Sequence, residues 1–421
     1  MIDIKILREN PGELKKAAKA KGCNVDKVID DILKLDQQRR DFLVKVESLR
    51  KEKNLISQNL KGKPSQKNIE KSKKIKSELS KLEAQLKNIE EKLNENILVI
   101  PNPAASDVQI GQDERENEVL RHVGSKPKFG FKIKDHVELG ESLDLIDLER
   151  AAKIAGSRFF YLKNELVILE FSLIRWVLDM LVKEGFSPVI TPDLIKGFAM
   201  RGMGYIEMGD KDETYYLEQD DQFLTATSEQ AIGPMYTNET LNEKDLPKRY
   251  VGFSSCFRRE AGSYGKDVRG IFRVHQFDKL EMFSFTKPEE SDKENYYFLE
   301  LEEKFMKALE LPYQVIKMVT GDLGFPAARK FDIETWIPSQ EKYRETHSTS
   351  TATDFQARRL NMRYKDKAGK VNYMHTVNGT ALAMTRTIIA IMENYQQKDG
   401  SIFIPKVLQE YIGIKEIKPK G

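Results

Sequence analysis

Residues 257–281 read "FRREAGSYGKDVRGIFRVHQFDKLE". The loop sequence "AGSYGKDVRG", whose glycines let the chain turn back, separates two runs rich in strand formers, "RYVGFSSCFRRE" and "GIFRVHQFDKLEMFSF". Together they are expected to form a β-hairpin. Side chains alternate along a strand. In the second run Arg273, His275, Phe277, Lys279 and Glu281 should share one face, with Phe272, Val274, Leu280 and Met282 on the other toward a core. In the first, Arg258 and Glu260 share a face and Arg259 points away. A charged face on a central strand is costly to desolvate unless its charges find partners. Two readings stay open here: the charges pair with one another across the strands, or they hold a nucleotide and an amino acid. No GxxxxGK[ST] loop, and no GxGxxG after a strand, occurs in the chain. Any nucleotide must therefore be gripped by side chains.

The rest of the sequence sets bounds. At 421 residues and 40% hydrophobic content, the chain can bury one large core and carry a smaller domain. Net charge is only +3, so basic character must be local. No stretch approaches the roughly 20 apolar residues of a membrane helix, and "MIDIKILRENPGELKK" lacks the apolar run of a secretory signal. A soluble cytoplasmic protein with no membrane partner is expected. Two cysteines, Cys23 and Cys256, make neither a disulfide framework nor a four-ligand zinc pattern, so no structural zinc is expected.

The chain divides near Pro101. Val28, Ile32, Leu35, Phe42, Val46, Leu49, Ile56 and Leu60 recur at heptad spacing, with Arg39 and Lys53 filling the seam. After the turn "KGKPSQ" a second run follows through Ile75, Leu79, Leu82, Leu86, Ile89, Leu93 and Ile97. Two such helices must fold back antiparallel, and about 33 residues at about 1.5 Å each give an arm of roughly 50 Å. Its tip is basic: Arg50, Lys51, Lys53, Lys61, Lys63, Lys67, Lys71, Lys73, Lys74 and Lys76 face only Glu52 and Glu70, a local net of +8. Such a rod suits a polyanion too large for a pocket, although a solvated hairpin would also carry lysines.

Beyond the linker the pattern is mixed. "NELVILEFSLIRWVLDMLVKEGF" (164–186) is a helix apolar on nearly every side, to be covered by a core or a second subunit. "FSPVITPDL" (186–194) is a short strand cut by Pro192. "VNGTALAMTRTIIAIMENYQ" passes from strand to helix through Asn378, Gly379 and Thr380, placing Arg386 about two turns into the helix. "YRETHSTSTATDFQARR" offers Glu345 and Ser348, oxygen ligands of the kind Mg²⁺ uses beside phosphates. Their spacing sets them on opposite faces of a regular strand, so a shared metal requires a bulge.

At these residues a resemblance appears. "CFRRE…RGIFRVHQFDKLE" resembles motif 2, "NGTALAMTR" motif 3 and "SPVITPDL" motif 1 of class II aminoacyl-tRNA synthetases, and "LTATSEQ" resembles the serine loop of the seryl-tRNA synthetases. The helical hairpin is similar to that family's tRNA-binding arm, so the likeness covers essentially the whole chain. It implies an α+β fold, with an N-terminal antiparallel two-helix coiled-coil arm (1–105) and a class II catalytic domain on an antiparallel sheet flanked by helices (106–421). It also implies a homodimer that joins L-serine to tRNA(Ser) using ATP and Mg²⁺, with tRNA(Sec) left open as a second acceptor.

The resemblance carries roles residue by residue. Arg258 falls on the α-phosphate arginine, Arg386 on the γ-phosphate arginine, Phe277 on the adenine-stacking ring and Glu260 on the acid beside adenine. Arg259 and Arg273 fall on or beside further ATP contacts. Glu345, Thr346, His347 and Ser348 match the ATP segment, with Glu345 and Ser348 as Mg²⁺ ligands. Thr227, Ser228, Glu229, Glu281, Asn378 and Thr380, with Arg258, match the serine-binding positions. Ser228 stands where the family commonly has alanine, and "SEQAIGPMY" departs from the commoner "AEVPL".

The implied chemistry needs no general base, because a serine carboxylate is already a nucleophile; His275 and His347 are read as structural. Two rivals would look different. An enzyme loading a carrier protein should lack the basic hairpin, and a non-catalytic descendant should have lost Arg258 and Arg386.

Overall fold

The computed structural model describes residues 1–59, 66–206, 213–261 and 269–419, and the side chains of residues 58, 59, 67 and 68 lie outside the description. Chain contacts divide it into Met1–Pro101 and Asn102–Gly421.

In the first unit, α1 (Ile4–Glu9) and α2 (Pro11–Ala20) lead into α3 (Asp26–Asn59) and α4 (Gln66–Leu98). The seam of α4 follows the heptads: Ile75, Leu79, Leu86, Leu93 and Ile97 are buried. On α3, Val46 is buried against Leu79 and Leu86. Nearer its start Ile29 and Ile32 take the buried places rather than Val28, because α1 and α2 pack there and present Leu7, Leu14 and Ala18. Interhelical ion pairs join Arg39 to Glu90 at 3.0 Å and Arg50 to Glu83 at 2.6 Å.

The second unit is built on eight strands: β1 (Glu118–Val123), β2 (Ser187–Ile190), β3 (Lys248–Phe257), β4 (Gln276–Thr286), β5 (Tyr313–Lys317), β6 (Arg329–Ile337), β7 (Lys342–Thr353) and β8 (His375–Ala383). Their order across the sheet is β1-β5-β6-β7-β8-β4-β3-β2. Every neighbouring pair is antiparallel except β2 with β3. The principal helices are α5 (His136–Ser142), α6 (Glu165–Lys183), α7 (Ser291–Ala308) and α8 (Met384–Asn394). This is the expected α+β architecture of an antiparallel sheet flanked by helices.

Alternation on β4 decides where the core ends. Leu280 and Met282 enter the main cluster with Leu173 and Trp176 of α6, Phe298 of α7 and Ile388 of α8. The other face presents Phe277, Lys279 and Glu281, and then Phe283 and Phe285. Those two rings are sealed in a second cluster with Met203, Ile232 and Leu360. The polar face is therefore closed at one end by apolar packing and open at the other.

The strand pattern reaches less far than the sequence suggests. The β3 ladder stops at Phe257 and β4 begins at Gln276, so Arg258–Glu260 and Ile271–His275 lie outside the pleat. Glu260 has a left-handed backbone, φ 49°. Likewise Asn378, Gly379 and Thr380 are inside β8, and Arg386 sits in the first turn of α8 rather than two turns along it. Among the described residues no helix is long and apolar enough to cross a membrane.

Candidate active site

The cleft opens over the polar face of β4. Phe277, Lys279, Glu345, Thr346, Thr380 and Arg386 line it together with Arg258 and Glu260. Arg258 leaves the end of β3 and places its guanidinium 5.1 Å from the Phe277 ring. Its backbone N–H donates to His275 O at 3.0 Å, tying the two limbs of the hairpin beyond the ladder. Arg386 enters from α8, donates to Glu345 O at 2.8 Å and pairs with Glu345 Oε2 at 3.2 Å. Burial pushes the Glu345 carboxyl up, but Arg386, then Lys330 and Arg258, outweigh it and hold the group at about 2. It is ionised at any physiological pH.

A bulge settles the spacing of Glu345 and Ser348. Asp332 pairs with Ser348, Ile333 with His347 and Glu334 with Glu345, leaving Thr346 as an extra residue on β7. Asp332 and Glu334 share a face of β6, so their partners Ser348 and Glu345 share the matching face of β7. His347 is turned to the other side, fully buried, with Nδ1 2.9 Å from the Thr346 hydroxyl. Burial pushes its ring down to about 3, so it stays neutral.

A second polar group gathers beside Lys279 and Thr380; of its members Glu229, Glu281 and Asn378 do not line the cleft, and Glu229 and Glu281 are buried. The Asn378 amide donates to Glu229 Oε2 at 3.0 Å and to Glu281 Oε1 at 3.3 Å. Lys279 pairs with Glu281 Oε2 at 2.6 Å. Burial, then the nearby Glu281 charge, lift Glu229 to about 7. Thr227 accepts the Glu229 N–H at 3.3 Å, which fixes the turn, and Thr380 is opposite Glu281 on β8.

Several expected residues lie elsewhere. Ser228 faces β3 and donates to Gly252 O at 3.1 Å, so its hydroxyl serves packing. Arg259 is exposed and lies over the Tyr215 ring at 5.8 Å. Arg273 pairs with Glu260 at 3.4 Å and does not line the cleft. His275, read as structural, donates through Nδ1 to Arg258 O at 2.9 Å and packs beside Phe159. Conversely Phe272 and Val274, read as core residues, are buried and also line the cleft. Arg386 and Arg344 stack on Phe272 at 5.0 and 4.3 Å. Lys279, Ala383 and Thr385 line the cleft and are passed over by motif reasoning, although the alternation of Lys279 with Phe277 and Glu281 puts it on the same face.

On the arm, the side chains of Lys51, Lys73, Lys74 and Lys76 are exposed, and Lys53 is half-buried. Arg50 and Lys71 are engaged by Glu83 and Glu52. Lys61 and Lys63, and the Lys67 side chain, lie outside the described residues.

Two arginines, an aromatic ring and a carboxylate thus meet around one cleft on a largely antiparallel sheet. Residues 215–395 match the family model "tRNA synthetase class II core domain (G, H, P, S and T)", and residues 1–104 match "Seryl-tRNA synthetase N-terminal domain". The serine–tRNA ligase of Dictyoglomus turgidum is 46% identical over 424 residues, covering both chains completely. The seryl-tRNA synthetase of Pyrococcus horikoshii, solved in complex with ATP, superposes with a TM-score of 0.92 at 41% identity over the full length of both chains. That of Naegleria fowleri, solved with AMP, gives 0.88 at 32% identity, covering 100% of this chain and 99% of that one. The chain belongs to the seryl-tRNA synthetase family.

Proposed function

We infer that the protein activates L-serine with ATP and transfers it to the terminal adenosine of tRNA(Ser). A serine carboxylate oxygen attacks the α-phosphorus, the bond to the bridging oxygen breaks, and pyrophosphate leaves. Seryl-adenylate results. A ribose hydroxyl of the tRNA then attacks the carbonyl carbon and AMP departs. The convergence of Arg258, Phe277, Glu345 and Arg386 on one cleft carries this reading.

The work of the site is orientation and charge stabilisation. Arg258 takes the α-phosphate and Arg386 the γ-phosphate; Phe277 offers its ring to adenine, with Glu260 beside it. Glu229, Glu281 and Asn378 hold the serine ammonium, and Thr227 and Thr380 read its hydroxyl. A pocket built to bond that hydroxyl strands polar groups when alanine enters, a discrimination of about 10⁴.

Glu345 and Ser348 fit Mg²⁺. Both are hard oxygen donors on one face of β7, Glu345 is ionised, and a site using one or two protein oxygens with substrate phosphates is usual for this ion. When bound, the ion neutralises charge on the phosphate oxygens. Arg386 is paired with the same Glu345 carboxylate.

We assign tRNA binding to residues 1–105, through the basic end of α3 and α4, and catalysis to 106–421, acting in the cytoplasm. Exposed Ile168 and Phe171 on α6 and Ile190 on β2, at 51, 63 and 84%, support burial of this face in a homodimer. Serine-dependent ATP–pyrophosphate exchange, run against each amino acid in turn, tests the reaction. Stimulation by serine alone is expected; stimulation by another amino acid and not by serine would overturn it.

A further inference from the structure

Between β3 and β4 the returning limb Ile271–His275 has no ladder partner, yet it carries Phe272, the ring beneath Arg386. Its last residue, His275, is tied to Arg258 and Arg158; another group, outside the sheet, must hold its first, Ile271. The first residue of α5, His136, does so with both ring nitrogens. Nδ1 is 3.2 Å from Glu393 Oε1, and the backbone N–H of Ile271 donates to Nε2 at 3.3 Å. The partners fix the tautomer: a carboxylate can only accept, so Nδ1 carries the proton and Nε2 is the acceptor.

Glu393 is fully buried on α8, the helix that carries Arg386 in its first turn. Its Oε1 also accepts the His136 N–H at 3.1 Å, and its Oε2 accepts the Ser339 N–H at 3.0 Å. On the hairpin side, Gly270 has φ 80°, and a Cβ there would lie 2.1 Å from His136 Nε2 and 2.7 Å from Val137 Cγ2. Asp135 adds a second tie by accepting from Arg269 Nη1 at 3.0 Å. A rigid ring thus bridges a buried carboxylate on α8 and the backbone of the limb.

We propose that His136 is a positioning residue for ATP activation, clamping the returning limb of the hairpin to α8 so that Phe272 and Arg386 hold their places across the cleft. The proposal rests on the reading that this cleft binds ATP. A displacement of about 1 Å in such a group costs about a hundredfold in rate.

The test measures serine-dependent pyrophosphate exchange at varied ATP for the wild type, His136→Ala and His136→Gln, with thermal melts alongside. Exchange by the wild type establishes the underlying reading separately from this one. His136→Ala should lose about a hundredfold in kcat/KM for ATP, with the serine KM held within about twofold. His136→Gln should recover most of that loss, since a carboxamide can accept from Ile271 and donate to Glu393. A folded His136→Ala enzyme within about threefold of the wild type, or a glutamine variant as impaired as alanine, overturns the proposal. Should alanine fail to fold, amide hydrogen exchange on the wild type decides: protection at Ile271 supports the clamp, and exchange at the rate of an open loop overturns it.

Discussion

Lys279 sets its ammonium 2.6 Å from the Glu281 carboxylate, and both side chains are almost wholly shielded from water. The two project from the same face of β4, and Glu281 is joined through Asn378 to Glu229. Removing one member of a buried pair leaves an uncompensated charge, which costs about 3–5 kcal/mol. Lys279→Met should therefore lower the unfolding free energy by about 3 kcal/mol and weaken serine activation at neutral pH. Denaturant unfolding of parent and variant reads the first effect directly; an unchanged midpoint would show that the pair contributes nothing.

Glu229 predicts a pH dependence with a definite sign. Burial and the Glu281 charge raise its carboxyl from 4.5 to about 7 in the folded protein. Between those values the folded state holds a proton that the unfolded chain has lost. Its contribution to stability therefore falls as pH rises through that window, and the penalty is complete above about 7. Binding an ammonium needs the ionised form, so kcat/KM for serine should rise as pH climbs through about 7. Glu229→Gln should remove that limb, and a profile of identical shape in the variant would assign the titration elsewhere.

Gly252 packs against Ser228, in the loop that carries Thr227 and Glu229. A Cβ on Gly252 would meet Ile232 Cδ1 at 2.6 Å and Ser228 Oγ at 2.7 Å. Ser228 lies between Thr227 and Glu229, so the added methyl must push the loop toward the cleft. Gly252→Ala is expected to raise the serine KM while the ATP KM moves little, and to cost about 1–3 kcal/mol through overpacking. Separate titrations of the two substrates check the split; equal changes in both would mean that the whole cleft has shifted.

What the sequence discloses follows from periodicity. The seams of α3 and α4, and the shared face of Phe277, Lys279 and Glu281, are legible because heptads and pleats repeat locally. Departures arise where a contact remote in the chain overrides the repeat. Phe272 and Val274 leave the pleat where Gly270 presses against His136, distant in sequence. Glu345 and Ser348 share a face because Thr346 bulges against β6, and no residue type in "YRETHS" announces it. Ser228 is turned away by the missing side chain of Gly252, a partner on another strand.

The arm offers a prediction in which geometry narrows composition. Of the basic residues at its tip, Arg50 and Lys71 are already answered by Glu83 and Glu52, whereas Lys51, Lys73 and Lys74 are exposed on α3 and α4. Each phosphate contact releases counterions and contributes about 0.9 to the slope of log K against log salt on duplex nucleic acid. Replacing Lys51, Lys73 and Lys74 together with alanine should flatten that slope for tRNA by about 2 to 3 and weaken binding at low salt. Filter binding across a salt series, with helical content followed by circular dichroism, makes the measurement. If a variant of unchanged helicity keeps the parental slope, these three lysines do not meet the phosphates.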